Sequence, residues 1–305
     1  MPLTHERPAL IFSVDVEDWG QSVLDRSLPI SQHSAENVRR LLGLLAAHPD
    51  AQATFFVLGK FAERHPDVIR RIDAAGHEIA CHGHGHMEVY RLGPDGFRED
   101  LRRAVGILAD ITGRRPRGYR APVFSITSDA LWALDILQQE GFEYDSSIYP
   151  YAGRRYGIHD WPIHPCRVKL DAHRSIIEYP LTVKTFASRR WPISGGGAAR
   201  LIPQRLLIHW LHHASTRRYF PSHPSPPSHR SHTLPKLTAE AQRTQSSELR
   251  NLNSAIGDHS HTSKLSLLSA LSASPRCIPL AFRLSPFAFP PVFYCHPYEL
   301  DPHEF

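Results

Sequence analysis

From residue 9 to about 150 the chain alternates short apolar runs with amphipathic helical stretches, and few folds accommodate that rhythm. Ala9–Val14 reads as a buried strand running into acidic residues, and Ser34 opens a helix with Val38, Leu41, Leu42 and Leu45 on one face. Ala53–Leu58 is a second strand, closed by Gly59. A helix from Pro66 carries Val68, Ile69 and Ile72 inward and stops at Gly76, and His77–Cys81 is the third strand. Pro94 begins a helix bearing Phe97, Leu101, Val105 and Leu108, followed by Gly113 and a short strand at Gly118–Arg120. Ser128 precedes a helix with Leu131, Leu134 and Leu137, ended by Gly141, and Phe142–Ser146 is the next strand. At least five parallel βα units imply a barrel or a doubly wound sheet.

Composition narrows the function classes. With 41% apolar and 21% charged residues the chain can bury a core, and it has no apolar run long enough to span a membrane. Met1–Pro8 lacks a basic start and a small-residue cleavage site, so the expected location is cytoplasmic. The net charge of +5 is scattered; Arg114-Arg115-Pro116-Arg117 and Arg189-Arg190 are too short for a nucleic-acid surface, and no nucleic-acid partner is expected. Cys81, Cys166, Cys277 and Cys295 have no CxxC spacing, which argues against a zinc ribbon or a redox pair. Histidine, at 21 copies, is the outlier to be sorted into ligands and bystanders.

After about residue 215 the character changes. Residues 216–290 are rich in Ser, Pro, Leu and His and lose periodicity, and Pro221–His229 is low-complexity. Long structureless stretches are uncommon inside compact domains, so this segment reads as inserted or aberrant. Order returns at Pro291–Pro297, an apolar strand ending in a histidine.

Polar residues gather where strands end, the face on which barrels collect catalytic groups. The first cluster is Asp15, Glu17 and Asp18, whose plainer reading is a solvated acidic turn. The second is His82-Gly83-His84-Gly85-His86, where two imidazoles four residues apart can bend round one ion and His84 is the bystander; a solvated His/Gly loop is the alternative. Arg120, followed by Ala-Pro, and the lone His296 are each weaker, a surface ion pair and an isolated histidine being the plainer readings.

Together these sites resemble the polysaccharide deacetylase family, the NodB-homology carbohydrate esterases, and within it the branch that accompanies exopolysaccharide export and exosortase gene clusters. The carrying motifs are Val14–Asp18, Ala53–Gly59, Gly76–His86, Tyr119–Pro122, Tyr144–Ser147 and Tyr294–Pro297, with Pro192–Gly197 similar to a further stretch of that branch. The resemblance implies a distorted, incomplete (β/α) barrel of about seven parallel strands. It matches Asp15 to the catalytic base, Glu17 or Asp18 to the carboxylate metal ligand, and His82 and His86 to the histidine ligands. Arg120 matches the arginine that orients the base and His296 the general acid, while Asp145 helps to shape the site or to hold His296. It further implies a divalent metal, Zn²⁺ above all, and an acetylated polysaccharide or oligosaccharide as substrate. The expected activity is removal of N-acetyl or O-acetyl groups during exopolysaccharide biosynthesis, with membrane association only through the assembly system.

The chain departs from the family pattern in two places. About a hundred residues separate Ser194 from His296, and Phe305 comes before the helix expected after the final histidine motif. The expected organisation is a deacetylase domain over 8–215, an inserted or aberrant segment over 216–290, and a returning final strand over 291–305, with activity open to impairment. Rival readings are an allantoinase-like cyclic-amide hydrolase on the same scaffold and a catalytically impaired carbohydrate-binding relative.

Overall fold

The computed structural model describes residues 10–216 and 291–300, apart from residues 49, 152 and 154. Residues 217–290 of the segment read as inserted, and 301–305 of the final one, lie outside the described residues.

Ten strands and seven α-helices follow one another along the described chain. The strands are β1 (Ile11–Val16), β2 (Ala53–Val57), β3 (Glu78–Cys81), β4 (Gly118–Tyr119), β5 (Tyr144–Asp145), β6 (Cys166–Lys169), β7 (Ser175–Glu178), β8 (Val183–Phe186), β9 (Arg189–Pro192) and β10 (Val292–Cys295). The helices are α1 (Gln32–Ala46), α2 (Gly59–Arg64), α3 (Pro66–Ala74), α4 (Val89–Thr112), α5 (Trp132–Gln139), α6 (Gly196–Arg200) and α7 (Gln204–Thr216).

The main sheet has eight strands in the order β10-β1-β2-β3-β4-β5-β7-β6, with β8 and β9 forming a separate two-stranded ribbon. Seven strands run parallel and only β6 is antiparallel, at one edge. This is the incomplete (β/α) barrel expected from the alternation of strands and helices. Its core forms where the periodicity placed it. Val38, Leu41 and Leu45 of α1, Val68, Ile69 and Ile72 of α3, and Phe97, Leu101, Val105 and Leu108 of α4 are all buried against Val14, Val16, Phe55 and Val57 of the sheet.

Local differences from expectation have simple causes. Helix α1 is capped by Ser31, whose hydroxyl accepts a bond from Ser34 N at 3.1 Å, so it starts two residues before Ser34. Helix α4 begins at Val89 and bends at Gly93 (φ 67°), because Pro94 cannot continue the hydrogen-bonded ladder. Strands β6 to β9 were not anticipated: they are four residues each and interleave Lys, Arg and Thr with apolar positions, so no run stands out.

The last strand joins the first. Ile11 to Val14 of β1 pair in parallel register with Val292 to Cys295 of β10, which delivers the following His296 to the end of the sheet where β1 delivers its carboxylates. The passage beside β10 leaves no room for a side chain at Gly195 (φ 141°), where a Cβ would lie 1.8 Å from the Tyr294 carbonyl oxygen.

Candidate metal centre and active site

Strand β1 ends in alternating residues, so Asp15 and Glu17 emerge on the same face, two residues apart. Both are buried, which an acidic turn facing solvent would not be. Burial of a carboxylate demands compensation, and each finds a different kind.

Glu17 faces histidines. Its Oε2 lies 2.5 Å from His86 Nε2 and 3.5 Å from His82 Nε2, and its Oε1 lies 3.5 Å from His296 Nε2. Burial would raise its pKa, but the surrounding imidazoles His86, His82 and His296 hold it well below the usual carboxylate range. Ligand atoms of Glu17, His82 and His86 all fall within 4.8 Å of one another, and no other such group of three occurs among the described residues.

The histidine loop is held from outside. His82 Nδ1 lies 2.8 Å from the Arg120 carbonyl, which can only accept, so Nδ1 carries a proton and Nε2 is the atom turned toward Glu17. Asp100 of α4 accepts bonds from the backbone N–H of His84 at 2.7 Å and of Gly85 at 3.2 Å. A Cβ on Gly83 (φ 75°) would strike that carboxylate at 2.8 Å, so glycine is required there. His86 itself adopts a left-handed backbone (φ 56°), the conformation that turns its ring back toward Glu17. Arg26 secures the far side of the loop, donating to the His86 carbonyl at 3.0 Å and to Glu88 at 2.6 Å.

Asp15 faces arginine. Arg120 is the largest fully buried side chain of the described residues. Its Nη1 donates to Asp15 Oδ1 at 2.7 Å and to Ser13 Oγ at 2.9 Å, while Nε and Nη2 bond the Ser146 carbonyl and hydroxyl, each at 3.0 Å. The guanidinium carbon lies 4.1 Å from the centre of the Phe56 ring. Arg120 is thus a fully engaged buried cation and not the surface ion pair of the plainer reading.

His296 follows β10, stacked on Tyr298 with ring centres 4.7 Å apart. Its Nδ1 lies 3.0 Å from Glu299 Oε1. Burial pushes the imidazole pKa down, but the Glu299 hydrogen bond and the charges of Glu17 and Glu299 prevail and raise it to about 9.

Three residues named from the sequence sit elsewhere. Asp18 turns away from the cluster: its oxygens accept from Gln21 N at 3.0 Å, Ser31 N at 2.9 Å and the Ser31 hydroxyl at 2.5 Å, tying the β1 end to the start of α1. Of the two carboxylates left open, Glu17 is therefore the one in the cluster. His84, the bystander, lies 3.3 Å from Glu63 and outside the group of three. Asp145 makes no contact with His296; it accepts from the Ser147 hydroxyl at 2.5 Å, which accepts in turn from Ala121 N at 2.8 Å, so it shapes the turn after Arg120. The residue that holds His296 is Glu299, which sequence reasoning missed although it stands three positions on, within reach of a single helical turn. Asp100, Arg26 and Glu178 were also missed.

The donor set suits a divalent cation. Three ligand atoms from Glu17, His82 and His86 converge within 4.8 Å, and two imidazoles with one carboxylate are ligands that zinc accepts with a coordination position to spare. The incomplete parallel barrel thus carries, at the same strand ends, a three-donor cluster beside a buried Asp–Arg pair.

Comparison with known proteins gives the family. Residues 27–144 match the polysaccharide deacetylase family and residues 146–242 match a domain of unknown function, DUF3473. The chain thus carries a polysaccharide deacetylase domain, with the DUF3473 domain following directly. It is 30% identical over 166 residues to a peptidoglycan deacetylase-like protein of Gibberella zeae, covering 51% of this chain and 48% of the relative. A peptidoglycan-N-acetylglucosamine deacetylase of Bacillus cereus is 32% identical over 97 residues, covering 32% of this chain and 35% of the relative. The chain thus spans between about a third and a half of these curated relatives. A solved structure from Mycobacterium smegmatis that carries the polysaccharide deacetylase name is 30% identical, with a TM-score of 0.48, covering 60% of this chain and 62% of that one. No helix of the described residues is long and apolar enough to cross a membrane.

Proposed function

We propose that this protein is a metal-dependent deacetylase that hydrolyses N-acetyl or O-acetyl groups on a polysaccharide, acting in exopolysaccharide biosynthesis. The observation that carries the reading is the pairing, at one end of the sheet, of a three-donor cluster (Glu17, His82, His86) with a buried carboxylate gripped by arginine (Asp15, Arg120). Glu17, His82 and His86 are the residues that would hold the cation, zinc being the best fit to the donor set. When bound, the ion supplies Lewis acidity toward an acetyl carbonyl and the attacking water.

The chain's own groups carry the proton traffic. Asp15 accepts the proton that the attacking water gives up, and Arg120 holds that carboxylate in position. His296, protonated through its contacts with Glu299 and Glu17, donates from Nε2 to the sugar nitrogen or oxygen as its bond to the acetyl carbon breaks. Acetate and a free amine or hydroxyl leave. On this reading residues 8–215 and 291–305 form one deacetylase unit, with 216–290 inserted between its last two strands.

Acetate release from a panel of acetylated glycans, with and without chelator, tests the proposal. Release that stops on chelation and returns with zinc is expected; no release from any acetylated glycan after metal reconstitution would overturn it.

A further inference from the structure

The ribbon of β8 and β9 takes no part in the chemistry above, yet it is firmly mounted. At its root, the Thr182 hydroxyl donates to the Val292 carbonyl at 2.9 Å and the Ser194 hydroxyl to the Thr182 carbonyl at 2.9 Å, so both ends are tied to β10 or to each other. Its inner face carries Val183, packed against the Tyr149–Leu181–Tyr294 cluster, and Arg190, whose Nη1 donates to the carbonyls of Pro150 at 3.2 Å, His159 at 2.6 Å and Trp161 at 2.7 Å.

The outer face has a different character. Register pairs Lys184 with Trp191 and Phe186 with Arg189, and paired residues share a face, so two aromatics and two cations stand together. Phe186 is 73% exposed and Trp191 54% exposed, large values for side chains of this size. No salt bridge of the described residues engages Lys184 or Arg189. The connecting turn is Ala187-Ser188; Phe186 stands beside it and Trp191 two pairs further back, so the exposed apolar surface runs along the ribbon from its tip.

We propose that this outer face is a binding platform for an anionic polysaccharide, a glycan strand bearing carboxylates. The aromatic rings take the C–H faces of successive pyranose rings, and Lys184 and Arg189 meet the carboxylates. Two exposed aromatics spaced along one face, each paired with a cation, suit successive rings of a linear sugar chain that carries negative charge. The proposal deepens the deacetylase reading by naming the charge class of its substrate, and it rests on that reading.

The test uses the full chain with sodium alginate, a linear polyuronate, and with dextran as a neutral glycan, read by Trp fluorescence and by affinity electrophoresis. Alginate is expected to bind more tightly than dextran and to weaken with salt. Trp191→Ala and the Lys184→Glu/Arg189→Glu pair are each expected to lower alginate affinity by about tenfold. Both variants should release acetate from a short neutral acetylated oligosaccharide at the wild-type rate. Unchanged alginate affinity in both variants, binding to anionic lipid vesicles but not to alginate, or shielding of Trp191 from acrylamide in the free full chain would each overturn the platform. Absence of acetate release from every substrate, with alginate binding and its loss in the variants intact, would instead overturn the deacetylase reading alone.

Discussion

Arg120 Nη1 lies 2.7 Å from Asp15 Oδ1 with neither side chain open to solvent, so each charge depends on the other for its presence in the core. Removing one partner strands the other. Arg120→Met is expected to destabilise the fold by about 3–5 kcal/mol, read as a shift of the urea midpoint. Arg120→Lys keeps the charge and loses the bonds to the Ser146 carbonyl and hydroxyl, so it should recover part of the stability while leaving acetate release depressed.

Alanine at Glu17, His82 or His86 should abolish tight zinc binding, measured by calorimetric titration, and acetate release with it. Asp18→Ala separates the two adjacent carboxylates: it should leave zinc stoichiometry intact and lower stability by about 1 kcal/mol through loss of its hydrogen bonds to the start of α1.

Asp100 touches no proposed ligand, yet it holds the backbone between His82 and His86. Asp100→Ala should weaken zinc binding by about 10–100-fold, the range seen when outer supports of a metal site are removed, with the helix content of α4 unchanged by circular dichroism. Zinc affinity equal to wild type would show that the loop holds its shape without this support.

Asp145 and Glu178 form a buried carboxyl pair. Burial raises the Asp145 pKa to about 6, against the lowering effect of hydrogen bonds from Glu178 and Ser147; burial and the charge of Asp145 raise Glu178 well above its ordinary value. Both groups hold protons more tightly when folded than when unfolded, so their contribution to stability is full at low pH and is lost as pH rises through about 6 and above. Glu178→Gln supplies a permanent amide donor. The difference in Tm between wild type and this variant should therefore move against the wild type as pH goes from about 5 to about 8.

The ribbon turn places Ala187 at φ 47° and Ser188 at φ 62°, where glycine and asparagine are at ease and Ala and Ser are not. Ser188→Gly should raise stability by about 1 kcal/mol without affecting acetate release. A lower Tm would mean that the turn is not left-handed in solution.

The strands and helices up to residue 150 were legible because each buries one periodic stripe, and a stripe such as Phe97, Leu101, Val105 and Leu108 identifies itself without a partner. Asp15, His82, His86 and Arg120 could be singled out because each follows an apolar strand. The choice between Glu17 and Asp18 was not legible: it turns on the Ser31 hydroxyl, 13 positions away, claiming Asp18. Asp100 and Glu178 were hidden for the same reason, since their partners lie 16 and 30 positions distant and neither sits in a motif. Glu299 was the readable omission, because its partner His296 is only three residues before it.

The pairing of β1 with β10 gives the molecule an order of assembly. Ile11 and Val292 are neighbours in space, yet everything between them must be made first, whereas Glu17, His82 and His86 are all present once the first third of the chain has been synthesised. On the reading proposed above, the donors for the ion are made early and His296 joins them only when the final strand docks, so that docking is the step that completes the site.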